Sequence, residues 1–270
     1  MKFALPFAFS LAFLATAAQA ADFRVVTYNV ESAEDTNTAQ VAEDIQEIGP
    51  ADIWGLQEVE DRDAVEAFRD AMDGPGRMMW YELAEEGGED RLAIVYDRNR
   101  FDAVEGPVEL SFVGGSRPPL WMRLREKSTG ISFNVVVTHF NRGDAALRNL
   151  QAQRMREWAA LTDEPTMLLG DFNFDLEVPA WIQGRYQGNR AFRIFTREPN
   201  PFTWVEHGPK IKTQCDEDYN SVLDFLFLED MPDWDATAEV LFTDQAYCDD
   251  EATGGADHRP IVVTLTPSGQ

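Results

Sequence analysis

The feature that most constrains the fold is a succession of short β-branched and aromatic runs, broken by only a few segments of helical period. Residues 23–30 (FRVVTYNV) open the series; residues 52–59, 79–83, 92–96, 108–112, 120–125, 131–140, 166–169, 223–228 and 260–265 continue it. Such runs read as strands, because branched side chains pack well on a pleated surface. Residues 38–48 instead carry Ala39, Val41, Ala42, Ile45 and Ile48 at helical spacing and stop at Gly49-Pro50. Residues 62–72 form a second helix and Gly74-Pro75-Gly76 a turn. The clearest helix spans 145–161, with Leu147, Leu150, Met155, Trp158 and Leu161 as its apolar side. Gly170 is expected to stop the 166–169 strand. Strands and helices do not alternate regularly, so two packed sheets flanked by helices suit the order better than a Rossmann-type parallel sheet.

Residues 1–20 stand apart. Lys2 gives a positive start, residues 3–17 are almost wholly apolar, and Ala18-Gln19-Ala20 supplies the small-x-small pattern of a signal-peptidase site. A signal peptide cleaved after Ala20 is expected, and with it a secreted or periplasmic protein. The apolar run falls short of the roughly 20 residues a spanning helix needs. No other segment is long and apolar enough, so no transmembrane segment is expected. Residues 21–270 contain no repeat, low-complexity tract or linker and read as a single domain. The chain has 23 Lys+Arg against 48 Asp+Glu, net −25; removing residues 1–20 takes away only Lys2, giving 22 − 48 = −26. Such a surface repels polyanions and argues against tight, non-specific DNA binding. No obligate protein partner is evident. Cys215 and Cys248, the only cysteines, are expected to pair in an oxidising compartment.

Several polar clusters sit at the ends of the strand-like runs, where loops on a rigid scaffold display function. They are Tyr28-Asn29-Val30, Gln57-Glu58-Val59, Thr138-His139-Phe140, Gly170-Asp171-Phe172-Asn173 and Asp257-His258-Arg259-Pro260, with Asp224 inside the apolar run 223–228. Each alone has an ordinary explanation, as a turn residue, a cap or a packed core histidine. Together they are chemically coherent, since two of the chain's three histidines fall in them. Carboxylate and amide oxygens of Asn29, Glu58 and Asp257 suit a hard cation such as Mg²⁺, with Mn²⁺ as an alternative. Two histidines with partner carboxylates can move protons near neutral pH, and Asn173 can donate to a phosphate oxygen. The third histidine, His207, precedes Gly208-Pro209 and reads as surface.

The order Asn, Gln-Glu, Thr-His, Gly-Asp-x-Asn, Asp, Asp-His-x-Pro resembles the endonuclease/exonuclease/phosphatase superfamily, over nearly all of residues 23–265. The resemblance implies a four-layered α/β sandwich, two packed mixed β-sheets flanked by helices. It implies Glu58 as the main metal ligand with Asn29 and Asp257 nearby, and Asp171 and Asn173 orienting water and phosphate. It pairs His258 with Asp224 and makes His139 the second histidine. Two looser matches put Asp90 as the acid orienting His139 and Arg117 on the substrate phosphate. The activity implied is hydrolysis of a phosphate ester by activated water, with a phosphodiester, as in a nuclease, ahead of a lipid or small-molecule phosphoester. A catalytically inactive binding protein would be marked by loss of one of these groups, and none is lost. Residues 201–204 (PFTW) are weighed as an exposed membrane-touching element, although an aromatic pair in a strand is more often core.

Overall fold

A computed structural model describes residues 22–31, 37–185, 188–199, 202–231, 234–248 and 255–267. The signal peptide expected at 1–20, and Pro201, lie outside them. One sheet contains β1 (Phe23–Asn29), β2 (Ile53–Val59), β3 (Met79–Leu83), β4 (Arg91–Asp97), β10 (His207–Gly208), β12 (Trp234–Val240) and β13 (Ile261–Pro267), in the order β10-β12-β13-β1-β2-β4-β3. The other contains β5 (Phe101–Glu109), β6 (Leu120–Glu126), β7 (Ser132–His139), β8 (Thr166–Glu177), β9 (Thr203–Trp204) and β11 (Ser221–Glu229), in the order β5-β6-β7-β8-β11-β9. Both sheets are mixed: β1 runs parallel to β2 and β7 to β8, while β13 and β11 return antiparallel.

The layers follow from which faces are apolar. Phe23, Val25, Ile53, Ile94, Met122, Phe133, Val135, Leu169 and Val263 fill the space between the sheets. Helices α1 (Thr38–Ile48) and α2 (Arg62–Met72) cover the outer face of the first sheet through Val41, Ile45, Val65 and Phe68 against Trp54 and Leu56. Helices α3 (Ala145–Ala159), α4 (Val178–Ile182) and α5 (Arg190–Thr196) cover the second, over a cluster that includes Phe172, Phe174, Phe192, Phe195, Phe225 and Phe227. The result is the expected four-layered α/β sandwich. Gly55 marks how closely the sheets approach: a Cβ there would lie 2.7 Å from Leu169 Cδ1 and 2.8 Å from Val137 Cγ2.

Four expectations are corrected. Strand β8 does not stop at Gly170 but runs on to Glu177. The strand expected at 108–112 is the end of β5, followed by a 3₁₀ turn at Ser111–Val113. In α3 the buried side is Arg148, Gln151, Ala152, Met155 and Ala159, while Leu150 and Leu161 are exposed. His207 is not on the surface but 3 % exposed, edge-on to Trp181 with ring centroids 5.0 Å apart. Phe202 and Trp204, in contrast, are packed as an aromatic pair in a strand usually is: Phe202 is buried and Trp204 packs on Trp181.

Candidate active site

The strand ends that carry the polar clusters are bent, and the bends aim the side chains. Register with β4 shifts between Leu56 and Val59, and Glu58 on that irregularity has φ 60°. Register of β11 with β8 shifts between Val222 and Asp224. Bulges of this kind re-aim a side chain at the edge of a sheet. Glu31 and Asn173 also have left-handed backbones, φ 35° and 51°, a conformation that costs a non-glycine residue about 1–3 kcal/mol. Gly170, at φ 144°, lets β8 reach β7 at the site, because a Cβ there would sit 1.9 Å from the Thr138 carbonyl oxygen. That approach pairs His139 with Asp171 across the parallel strands.

The structure brings both histidines against Asp171. His139 Nε2 is 3.3 Å from Asp171 Oδ2, and His258 Nε2 is 4.0 Å from the same oxygen. His258 Nδ1 lies 2.8 Å from Asp224 Oδ2, and its Nε2 is 3.6 Å from Asp257 Oδ1. All of these except Asp257 are almost fully buried. Burial opposes the charged ring of His258, but Asp224, Asp257 and Asp171 outweigh it and hold its pKa well above the ordinary histidine value. His139 moves the other way: burial, then Arg117, His258 and Arg142, push it well below. Asp171 is pushed up to about 8 by burial and by Asp224. The two histidines are therefore shifted in opposite directions, on either side of one carboxyl group.

The carboxylates of the expected cation site are wired together. Asn29 Nδ2 donates to Glu58 Oε1 at 2.9 Å, and Asn29 Oδ1 accepts from the Glu31 amide at 3.2 Å. Glu31 Oε2 accepts from the Asp257 amide at 3.1 Å. Asn29 thus holds Glu58 through its amide hydrogen and Glu31 through its oxygen, which keeps a second lone pair for a cation. Glu31 carries no sequence signal of its place here, because it enters through a left-handed turn past the end of β1. Burial, then Asp257, push its pKa up to about 8, and burial raises that of Glu58.

Other expected roles shift. Asp90 does not orient His139: its Oδ2 pairs with Arg117 at 3.1 Å, while the acid facing His139 Nδ1 is Glu58 at 3.5 Å. The Asp90 side chain is one methylene shorter than glutamate, and the guanidinium takes it. Asn173 Nδ2 donates to the Phe140 carbonyl at 3.0 Å, which leaves one amide hydrogen and makes a lock on the loop after His139. Arg148 and Gln151 hold the same loop, through the Asn141 and Arg142 carbonyls and the Asn141 amide. Their inward turn puts two polar side chains on the buried face of α3. Cys215 and Cys248 are joined in a disulfide. Tyr247, beside it, donates to the His258 carbonyl at 2.9 Å.

The sequence pattern of the Endonuclease/Exonuclease/phosphatase family matches residues 26–212. The chain belongs to this family. Solved structures share the fold over nine-tenths of the chain. They include a mannosyl-6-phosphatase of Bacteroides thetaiotaomicron (21% identity, TM-score 0.65, covering 90% of this chain and 99% of that one). The human Nocturnin catalytic domain with bound sulfate is similar too (17% identity, TM-score 0.65, 90% and 93%). So is D. rerio TDP2 complexed with a single-strand DNA product (14% identity, TM-score 0.65, 91% and 99%). No curated protein matches the sequence. Family members of these kinds act on phosphate esters, and no helix among the described residues is long and apolar enough to cross a membrane.

Proposed function

We propose that this family member is an exported phosphoesterase that cleaves a phosphodiester by activated water with a divalent cation, its single catalytic domain spanning residues 21–270. The observation that carries this reading is the Asp224–His258 contact of 2.8 Å, with His139 on the other side of Asp171. Asp224 fixes the His258 tautomer and leaves Nε2 facing Asp171 and Asp257, where water and a phosphoryl oxygen would lie. The neutral His139 ring, 3.3 Å from Asp171 Oδ2, is placed to exchange a proton with that carboxyl group. Arg117, held by Asp90, supplies positive charge beside His139 for the phosphate. Asn173 retains one amide hydrogen for a phosphoryl oxygen.

The residues fit a hard divalent cation. Burial, and then the neighbouring Asp257 and Glu58 carboxylates, push Glu31 up to about 8, and a cation would relieve that concentration of negative charge. Among the described residues, the groups whose ligand atoms lie within 4.8 Å of one another are mixed: Glu58 with His139 and Asp171, and Asp171 with Asp224 and His258. In the second, however, His258 Nδ1 is already committed to Asp224. The all-oxygen set therefore suits Mg²⁺ or Mn²⁺ best, with Glu58 and Asp257 as ligands and Asn29 orienting Glu58. A bound cation would supply Lewis-acid stabilisation of the phosphoryl oxygens and lower the pKa of water.

A small phosphoester, such as a sugar phosphate, is the second reading, favoured by the net charge of −25 and by the phosphatase among the structural neighbours. A sphingomyelin-type substrate is less supported, since Phe202 is buried. A panel of plasmid DNA, RNA, sphingomyelin and nitrophenyl phosphate mono- and diesters, with Mg²⁺, Mn²⁺ or chelator, tests the proposal. Turnover of a diester that disappears in chelator is expected. Full turnover in excess chelator removes the cation, and hydrolysis of nothing in the panel removes the proposal.

A further inference from the structure

Several buried polar atoms without a hydrogen-bond partner belong to Asp224 itself and to the segment bridged to His258. Among the described residues five of eleven such atoms belong to three side chains: Asp224 Oδ1, both amide atoms of Gln214, and both ring nitrogens of His207. Gln214 is 2 % exposed and stands opposite His258 in an isolated antiparallel bridge. The flanking bonds, Cys215 N–H to Asp257 O at 2.7 Å and Arg259 N–H to Thr213 O at 2.6 Å, fix that register. Residues directly opposite in such a pair project from the same face, so the carboxamide lies beside the imidazole. Thr213 Oγ1 accepts from the Leu223 and Asp224 amides, holding this segment against β11. His207 packs edge-on against the touching rings of Trp181 and Trp204, and both the Pro209 backbone and the Asp224 carboxylate bear on its ring.

We infer that Gln214 and His207 form, with Asp224, one buried hydrogen-bonded network that holds the free carboxylate oxygen and thereby sets His258. Both are positioning residues, and the inference rests on the reading of Asp224–His258 as the reactive pair. The groups are complementary. Asp224 Oδ1 only accepts, Gln214 donates and accepts, and a neutral His207 does one of each. Direct contact after a side-chain rotation, or one internal water, links them. An aromatic box needs no imidazole to fill it, since phenylalanine has a similar shape and no polar group to desolvate.

The test uses the full-length protein with His207→Phe, Gln214→Leu and, as a second variant at that site, Gln214→Met. Turnover is measured on whichever phosphate ester the wild type hydrolyses, together with the low-field proton resonance of His258 Nδ1–H in the unliganded protein. Each variant is expected to lose about 10-fold or more in kcat with KM within about threefold. The resonance should move, while His207→Phe melts no lower than wild type. A kcat within about twofold of wild type with the resonance in place overturns the inference. If the wild type hydrolyses no phosphate ester, the proposed function fails, and the resonance alone decides this network: an unmoved line overturns it and a displaced line supports it.

Discussion

Opening the Cys215–Cys248 disulfide should cost both stability and turnover, for separable reasons. The bridge spans 33 residues of sequence, and on the loop-closure estimate its removal frees roughly 3–4 kcal/mol of denatured-state entropy. For a chain of this size that corresponds to a melting temperature about 10 °C lower. The second effect is local. On one side of the bridge Gln214 pairs with His258 and Cys215 N–H donates to the Asp257 carbonyl. On the other, Tyr247 donates to the His258 carbonyl. The disulfide therefore ties together the two segments that grip the His258 backbone. Cys215→Ser with Cys248→Ser, or reduction followed to completion by thiol titration, is assayed by thermal melting and by turnover well below the melting point. Turnover should fall more than the folded fraction does. A fully reduced protein that melts within about 2 °C of the oxidised one would refute the reasoning.

Asp224→Asn should lower kcat by about 100-fold while divalent-cation affinity stays near wild type, because the change removes the partner of His258 and no cation ligand; calorimetric titration beside steady-state kinetics checks both halves. His207, pushed down to about 4 by burial, binds its proton in the unfolded chain first. Its contribution is whole above about pH 6.5 and is lost as the pH falls toward 4, by about 3 kcal/mol in total. Urea midpoints at pH 7 and 4.5 should show that loss in the wild type and a smaller one in His207→Phe; equal losses would contradict it. Gly170→Ala should destabilise by at least about 3 kcal/mol, since φ 144° and the Thr138 carbonyl leave no room for a methyl group. A normal denaturant midpoint for that variant would show that β7 and β8 can part without loss.

What the sequence revealed and what it hid divide along physical lines. Helices α1 and α2 and most strands were legible because their apolar period matches their burial. Strand β12 was not: Trp234–Val240 reads WDATAEV, and alanine with acidic residues pairs only because seven residues of β13 lie beside it. The inner side of α3 was hidden because Arg148 and Gln151 face inward to bond a loop, a tertiary demand no periodicity carries. At the site, Glu58, His139, Asp171, Asp224, Asp257 and His258 were visible as strand-end clusters and do converge. The partnerships among them were not visible. Asp90 went to Arg117, and Glu31 entered through a left-handed turn that its side chain does not advertise.

The convergence has a consequence for how the molecule can fail. Glu58 and Asn29 end strands of one sheet and His258 leads into another of the same sheet, whereas His139, Asp171 and Asp224 belong to the opposite sheet. Neither slab holds the whole of the proposed reaction centre. A compact acid state that kept its strands and helices but let the slabs slide would look folded by far-ultraviolet circular dichroism and yet be chemically silent. Turnover in this molecule is a ruler laid across the sandwich, reading alignment of its halves to within a hydrogen bond.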